Sequence, residues 1–223
     1  MAFSIQRFEV RDRGIISQLA SNDYPEVFAD EPWNEWVKCL PESSEEVEVY
    51  FGRSTNLNPG DACPSCQSPL ARCYEFQPTY EKILKEVSQP GAIALLGILN
   101  QIVVGFAWSY CSDISTIATT KWDNIPMQST VMNSLKPYVG ERGEIRYLSE
   151  VGVQKSYRNQ GIATALSKDA TRDNVPIVVR TNQDSPMATI CENLGLLRVI
   201  GPDLQVQDSV RPDRVLYVSP RKY

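Results

Sequence analysis

The chain of 223 residues contains no histidine. That absence excludes Ser-His-Asp and Cys-His nucleophilic centres, His-liganded metal sites and HExxH helices. Acid–base chemistry must therefore use Glu, Asp, Tyr, Cys, Lys, water or the backbone. Positive charge is also short: 22 Lys and Arg stand against 27 Asp and Glu, a net charge of -5. A nucleic-acid partner is not expected, because phosphate neutralisation needs a basic face. A Walker loop ending in Gly-Lys-Ser/Thr and a GxGxxG fingerprint are both missing. Long apolar runs are scarce. Met1–Val10 mixes Arg7 and Glu9 into its apolar residues and has no signal-peptide core. Gly91–Trp108 is the one extended apolar stretch, and the polar pair Asn100-Gln101 splits it at its centre. It is predicted to be a hairpin rather than a membrane span. Without a secretory leader, the cysteines are expected to be reduced and the location cytoplasmic.

What is present is a globular composition. A hydrophobic fraction of 42% and a charged fraction of 22% exclude wholesale disorder. The length suits one large domain or one domain with an appended module. Charge is uneven: residues 1–90 hold 8 basic and 15 acidic side chains, whereas 91–223 hold 14 and 12. The acidity concentrates in 21–50, where 9 acids face the single base Lys38 and Trp33 and Trp36 interleave them. Such a segment is either a solvated acidic face or an attractor for a cationic amine.

Pattern places the elements. Phe3–Val10 alternates as a strand, and Asp12 is placed to cap a short helix carrying Ile15, Ile16 and Leu19. Residues 21–90 are Pro-punctuated and Cys-containing, with little strand pattern. Ser43 and Glu46 have capping-box spacing, and Tyr80, Ile83, Leu84 and Val87 recur at helical spacing. Ala92–Leu99 and Ile102–Tyr110 form the hairpin, apolar on both faces, as in doubly covered central strands. Residues 111–142 are weakly patterned, with one short helix predicted around Thr130–Leu135. A strand at Ile145–Val153, a polar turn at Tyr157–Gly161 and a helix from Ile162 to Arg172 follow. Pro176–Arg180 is a further strand. Ser185-Pro186 opens a helix that ends near Gly195, and strands at Leu196–Ile200 and Arg214–Val218 close the chain.

Chemistry concentrates at Val151-Gly152-Val153-Gln154-Lys155-Ser156-Tyr157-Arg158-Asn159-Gln160-Gly161-Ile162-Ala163-Thr164-Ala165-Leu166. Here a strand enters a turn that opens a helix. Backbone N–H groups at such a helix start point together, and the helix dipole favours an anion there. Gly161 permits close approach, and small Ala163 keeps the mouth open. The arrangement suits a diphosphate.

On these residues the chain resembles the GNAT superfamily of acetyl-CoA-dependent N-acetyltransferases. Arg158-Asn159-Gln160-Gly161-Ile162-Ala163 matches that family's Arg/Gln-x-x-Gly-x-Gly/Ala signature in its strand–turn–helix setting. The resemblance covers about 91–201 well and 3–20 loosely, and says nothing of 21–90. It implies an α/β fold, a mixed, mostly antiparallel sheet flanked by helices, with 21–90 inserted into one domain spanning 1–223. It also implies acetyl transfer from acetyl-CoA to a primary amine. The N–H groups of Arg158, Asn159, Gln160, Gly161, Ile162, Ala163 and Thr164 would hold the coenzyme pyrophosphate. The main chain of Val151 and Val153 would pair with the pantetheine arm, and Lys155 and Arg158 side chains would approach phosphate. Glu150, just before Val151, is the candidate base, with Glu144 the weaker alternative. Cys191 stands where the family usually carries a Tyr as general acid. That departure keeps a second reading open, a non-catalytic acetyl-CoA-binding or interaction module. The acceptor contacts would come from 21–90 and 111–142.

Cys63-Pro64-Ser65-Cys66 is a knuckle-like CxxC, with Cys39 upstream and Cys73 seven residues beyond. Four thiolates would make a closed tetrahedral zinc site in a segment with few apolar residues to hold it together. Reduced free thiols and a redox CxxC are the alternatives.

Overall fold

A computed structural model describes residues 3–39, 49–122, 124–139, 143–202 and 213–219. In chain order its strands are β1 (Ser4–Phe8), β2 (Val37–Cys39), β3 (Val49–Phe51), β4 (Leu70–Arg72), β5 (Ile93–Leu99), β6 (Ile102–Asp113), β7 (Glu144–Val153), β8 (Ile177–Asn182), β9 (Leu197–Ile200) and β10 (Arg214–Val218). The helices are α1 (Arg13–Gln18), α2 (Tyr24–Phe28), α3 (Phe76–Val87), α4 (Ile114–Lys121), α5 (Ile125–Val139), α6 (Ile162–Ala170) and α7 (Pro186–Asn193). Seven strands form one sheet in the order β1-β5-β6-β7-β8-β10-β9, antiparallel except for the parallel pair β7–β8. This is the mixed, mostly antiparallel sheet flanked by helices that the motif implied.

The β5–β6 hairpin forms where the apolar run was split. Asn100 and Gln101 sit at φ 50° and 67°, the left-handed geometry of a tight hairpin turn. Both faces of these strands are covered because alternate residues feed different cores. Leu95, Val104 and Ala107 pack with α6 and α7, whereas Ala94, Leu96, Phe106 and Trp108 pack with α1, α2 and α3. Gly97 and Gly105 face each other across the hairpin. A Cβ on Gly105 would stand 2.8 Å from Gly152 O and 3.3 Å from Leu166 Cδ1, so the missing side chain lets α6 lie close on the sheet.

Residues 111–142 differ from expectation. β6 runs on to Asp113, and two helices follow instead of one short one. Asp113 caps α4 by accepting from Thr116 N–H at 2.9 Å, and the Asn124 side chain accepts from Met127 N–H at 2.8 Å. Met127, Val131, Leu135 and Val139 make one buried stripe at a spacing of four. Ser, Thr and Asn between them lower intrinsic helix propensity, and tertiary burial overrides it. These helices pack on Tyr110, Tyr147, Val178 and Leu216, beside the core of α1–α3 on the same sheet face.

The two ends of 21–90 belong to that helical layer: Tyr24, Val27 and Phe28 of α2 and Ile83 and Val87 of α3 are in its core. Between them lies a small sheet in the order β3-β2-β4, with Val37, Cys39, Cys63 and Leu70 as its own buried cluster. The Ser43–Glu46 capping box lies outside the described residues. Among the described residues, no helix is long and apolar enough to cross a membrane.

Candidate active site

The site begins where two strands part. β7 bonds to β6 along its whole length, but to β8 only from Arg146↔Ile177 to Leu148↔Val179. From Ser149 to Val153 the second edge of β7 has no neighbouring strand among the described residues. Trp108 faces Glu150 while Ser109 faces Leu148, so Ser149 is an extra residue and β7 bulges there. The parting exposes the main chain of Val151 and Val153 to an extended partner.

The loop after β7 meets this notch. Asn159 and Gly161 take φ 61° and 77° on either side of Gln160. The first intrahelical bond of α6 runs from Ala165 N–H to Gly161 O at 3.0 Å. Helix geometry therefore leaves the N–H groups of Ile162, Ala163 and Thr164 over, at the positive end of the helix dipole. Gly161 has open space around its Cα, but its φ strains any L side chain.

The two basic side chains of the loop point elsewhere. The Arg158 guanidinium donates to Val153 O at 3.2 Å, Val27 O at 2.9 Å and Glu31 O at 2.6 Å. Lys155 pairs with Asp30 at 3.4 Å. Both tie the loop to residues 27–31 instead of reaching its mouth.

Glu150 lies on the opposite side of the notch from β8, half-buried. Its Oε1 accepts from Tyr24 Oη at 2.9 Å and Lys82 Nζ at 2.6 Å, and Lys82 also donates to Tyr24 Oη at 2.5 Å. Burial alone would depress the Lys82 ammonium, but the Glu150 and Glu86 carboxylates outweigh it and raise it above its usual value. Burial pushes the Tyr24 phenol well up, with Glu150 adding to it. Glu86 is buried and accepts from Trp108 Nε1 at 2.7 Å, Ser149 Oγ at 2.8 Å and Lys121 Nζ at 3.4 Å. Burial opposes its ionisation, yet Lys121 and Lys82 prevail and hold the carboxyl below the usual range. Glu144 is exposed at the far end of β7.

A cavity of about 240 Å³ opens beside Glu150, lined among others by Tyr24, Trp33, Tyr74, Tyr147, Arg180 and Arg214. Cys191 is not among its lining residues. It is fully buried in the core under β7 and β8, one helical turn beyond cavity-lining Met187. Burial, then Glu192, pushes its thiol up to about 12. α7 itself follows expectation, with Ser185 Oγ accepting from Ala188 N–H at 3.3 Å and Leu196 N–H closing on Cys191 O at 3.0 Å.

Three of the four predicted metal ligands come together. The sulfurs of Cys39, Cys63 and Cys66 all lie within 4.8 Å of one another, and Cys39 Sγ is 3.2 Å from Cys66 Sγ. Hydrogen bonds from Ser68 lower the Cys66 thiol to about 7, while hydrogen bonds to Cys66 and Cys63 raise Cys39 to about 12. Cys73 stands apart for a reason of register. Cys39 pairs with Leu70, and Cys73 lies three residues on, where its N–H bonds Trp36 O at 3.3 Å. Three residues of strand span about 10 Å.

Lys82, Tyr24 and Glu86 were not singled out from sequence. The one signal was Glu86 on the apolar face of α3, three residues after Ile83 and four after Lys82. A carboxylate there needs partners in the core.

No family model matches the chain, and no curated protein matches it by sequence. Solved structures do match. A polyamine N-acetyltransferase of Drosophila melanogaster superposes with a TM-score of 0.57 at 11% identity, covering 98% of this chain and 100% of that one. The histone acetyltransferase HPA2 and related acetyltransferase of Corynebacterium glutamicum gives 0.54 at 13% identity, covering 100% and 98%. NAA60 of Arabidopsis thaliana in complex with acetyl-CoA gives 0.53 at 12%, covering 98% of each chain. The described part of the chain therefore shares its fold with these acetyltransferases.

Proposed function

We propose that this protein transfers an acetyl group from acetyl-CoA to a primary amine. The observation that carries the reading is the notch. A β7 edge that has no neighbouring strand from Ser149 to Val153 among the described residues meets the leftover N–H groups at the start of α6, beside a carboxylate. The fold shared with acetyltransferases supports it.

In this reading the N–H groups of Asn159 through Thr164 bind the coenzyme pyrophosphate, while the Arg158 N–H stays on Lys155 O at 3.3 Å. The main chain of Val151 and Val153 pairs with the pantetheine arm as an added strand. The neutral amine attacks the thioester carbonyl, the C–S bond breaks and coenzyme A leaves as thiolate. A main-chain N–H on the open edge of β7 stabilises the oxyanion. Glu150 takes the amine proton on Oε2, since Oε1 already accepts two hydrogen bonds. Lys82 and Tyr24 position that carboxylate. Cys191 is assigned to packing.

Isothermal titration with acetyl-CoA tests the reading. We expect binding in the wild type and its loss in Gly161→Glu, which forces a side chain into left-handed geometry at the diphosphate mouth. No binding, or unchanged affinity in the variant, overturns it.

A second proposal concerns Cys39, Cys63 and Cys66. We infer a soft divalent ion, zinc by its preference for thiolates, with a non-cysteine fourth ligand. Tetrahedral zinc with Zn–S of about 2.3 Å sets sulfurs about 3.8 Å apart, within the separations found here. Elemental analysis of protein never exposed to chelator should give close to one zinc per chain. A ratio near zero counts against the site.

A further inference from the structure

We propose that Glu86 is a positioning residue of this site, acting through Ser149 to hold the bulge at which β7 parts from β8. This rests on the acetyl-transfer reading and adds the group that sets the geometry of its strand edge.

Side chains of a regular strand alternate between its two faces. β7 keeps that rule on either side of the bulge. Tyr147 lies in the core of α4 and α5, and Leu148 in the core of α6 and α7. Further on, Val151 and Val153 return to the α6–α7 core, whereas a Cβ on Gly152 would meet Phe106 and Val27 on the other face. Ser149 and Glu150 are the exception. They are consecutive, yet both reach α3: Ser149 Oγ donates to Glu86 at 2.8 Å, and Glu150 accepts from Lys82 Nζ at 2.6 Å. These neighbours share a face because Ser149 is the extra residue in the pairing with β6.

The helix is spaced to hold them. Lys82 and Glu86 stand four residues apart, on one face of α3. Glu86 Oε2 accepts both from Ser149 Oγ on β7 and from Trp108 Nε1 on β6, the latter at 2.7 Å. One oxygen thus bridges the two strands at the bulge, between a buried carboxylate and a fully buried indole. Lys121 occupies the other oxygen, Oε1, at 3.4 Å. Burial opposes ionisation of Glu86, but Lys121 and Lys82 keep the carboxyl below the usual range, so Oε2 accepts as a charged group. Without the bulge, either Ser149 or Glu150 must turn to the α6–α7 face and leave its partner on α3. The bridge therefore selects the bulged register over the regular one. That register sets the strand edge at Val151 and Val153 and keeps Glu150 at the cavity. Ser149 and Glu150 line the cavity and Glu86 does not, so its action on the site runs through Ser149.

The test is calorimetry with acetyl-CoA, alongside urea denaturation of each variant. Ser149→Ala removes the hydroxyl and leaves Glu86 its bonds to Trp108 and Lys121. We expect it to bind acetyl-CoA about tenfold more weakly, the scale of one hydrogen bond to a charged group. Ser149→Thr keeps the hydroxyl and should stay within about twofold of wild type. Glu86→Met keeps the length and removes the acceptor, and should weaken binding at least as much as Ser149→Ala, which carries the test alone if Glu86→Met does not fold. Ile83→Ala removes a fully buried side chain from the same helix and no hydrogen bond at the bulge. It should lower stability and leave acetyl-CoA affinity within about twofold. Unchanged affinity in Ser149→Ala, or an equal loss in Ser149→Thr or Ile83→Ala, overturns this proposal and leaves acetyl transfer standing. No binding by the wild type overturns acetyl transfer and this proposal together.

Discussion

The two halves of the site are built from different materials. The half proposed to hold the coenzyme is main chain: a strand edge with no described neighbour past Leu148, and N–H groups left over at the start of α6. The half proposed to hold the acceptor is side chain: Glu150, Lys82 and Tyr24 on one wall of the cavity, Arg180, Arg214 and Trp33 on the other, drawn from positions 24 to 214. Main-chain sites depend on a short contiguous stretch and one permissive glycine. Side-chain sites depend on which distant segments the sheet brings together. The first half is thus tied to the fold, and the second is where this chain has individual character.

Substitutions should separate the halves. The largest effect is expected from Glu150→Gln, which keeps shape and removes the base. Turnover should fall by about 10²–10⁴-fold, with acetyl-CoA affinity within twofold. A wild-type rate would move the base elsewhere. Arg158→Gln comes next. Its guanidinium holds Val27 O and Glu31 O, so its loss frees the segment that carries Phe28 and Trp33 to the cavity. We expect acceptor KM to rise about tenfold while acetyl-CoA affinity barely changes, the reverse of a phosphate-binding arginine. A matching loss of acetyl-CoA affinity would place Arg158 in the coenzyme half.

Glu86 probes the layer beneath both. Glu86→Gln strips charge from a buried acceptor of three hydrogen bonds. It should cost about 1–3 kcal/mol in urea denaturation at pH 7. The carboxyl of Glu86 is held below its ordinary value of 4.5. Its stabilisation is therefore complete above that value and is lost as pH falls through the depressed one. The difference between wild type and variant should shrink as pH falls below 4.5, and a pH-independent gap would contradict the ion-pair account. The smallest effect is expected from Cys191→Ala. Turnover should stay within about twofold, with roughly 1 kcal/mol of stability lost to a small cavity. A large fall in turnover would restore Cys191 as proton donor.

Much of the fold was legible. The hairpin around Asn100-Gln101, the strand–turn–helix at 144–170 and the Ser185-Pro186 helix start all carry local signals that need no distant partner. The helices of 114–139 were hidden because their stripe is interleaved with Ser, Thr and Asn, and burial against Tyr110 and Leu216 supplies what propensity does not. Cys63-Pro64-Ser65-Cys66 marked a cluster, but membership turned on register. Pairing Cys39 with Leu70 put Cys73 beyond reach.

By itself the sequence determined the absence of imidazole chemistry and the strand–turn–helix at 144–170 with its left-over N–H groups, because both follow from residue type and local spacing. Only the tertiary structure decided that Arg158 ties down 27–31, that Cys191 faces the core, and that Lys82 and Tyr24 hold Glu150. Those outcomes depend on contacts between residues tens to more than a hundred positions apart. Such distances are set by sheet order and register, and one-dimensional spacing does not encode them.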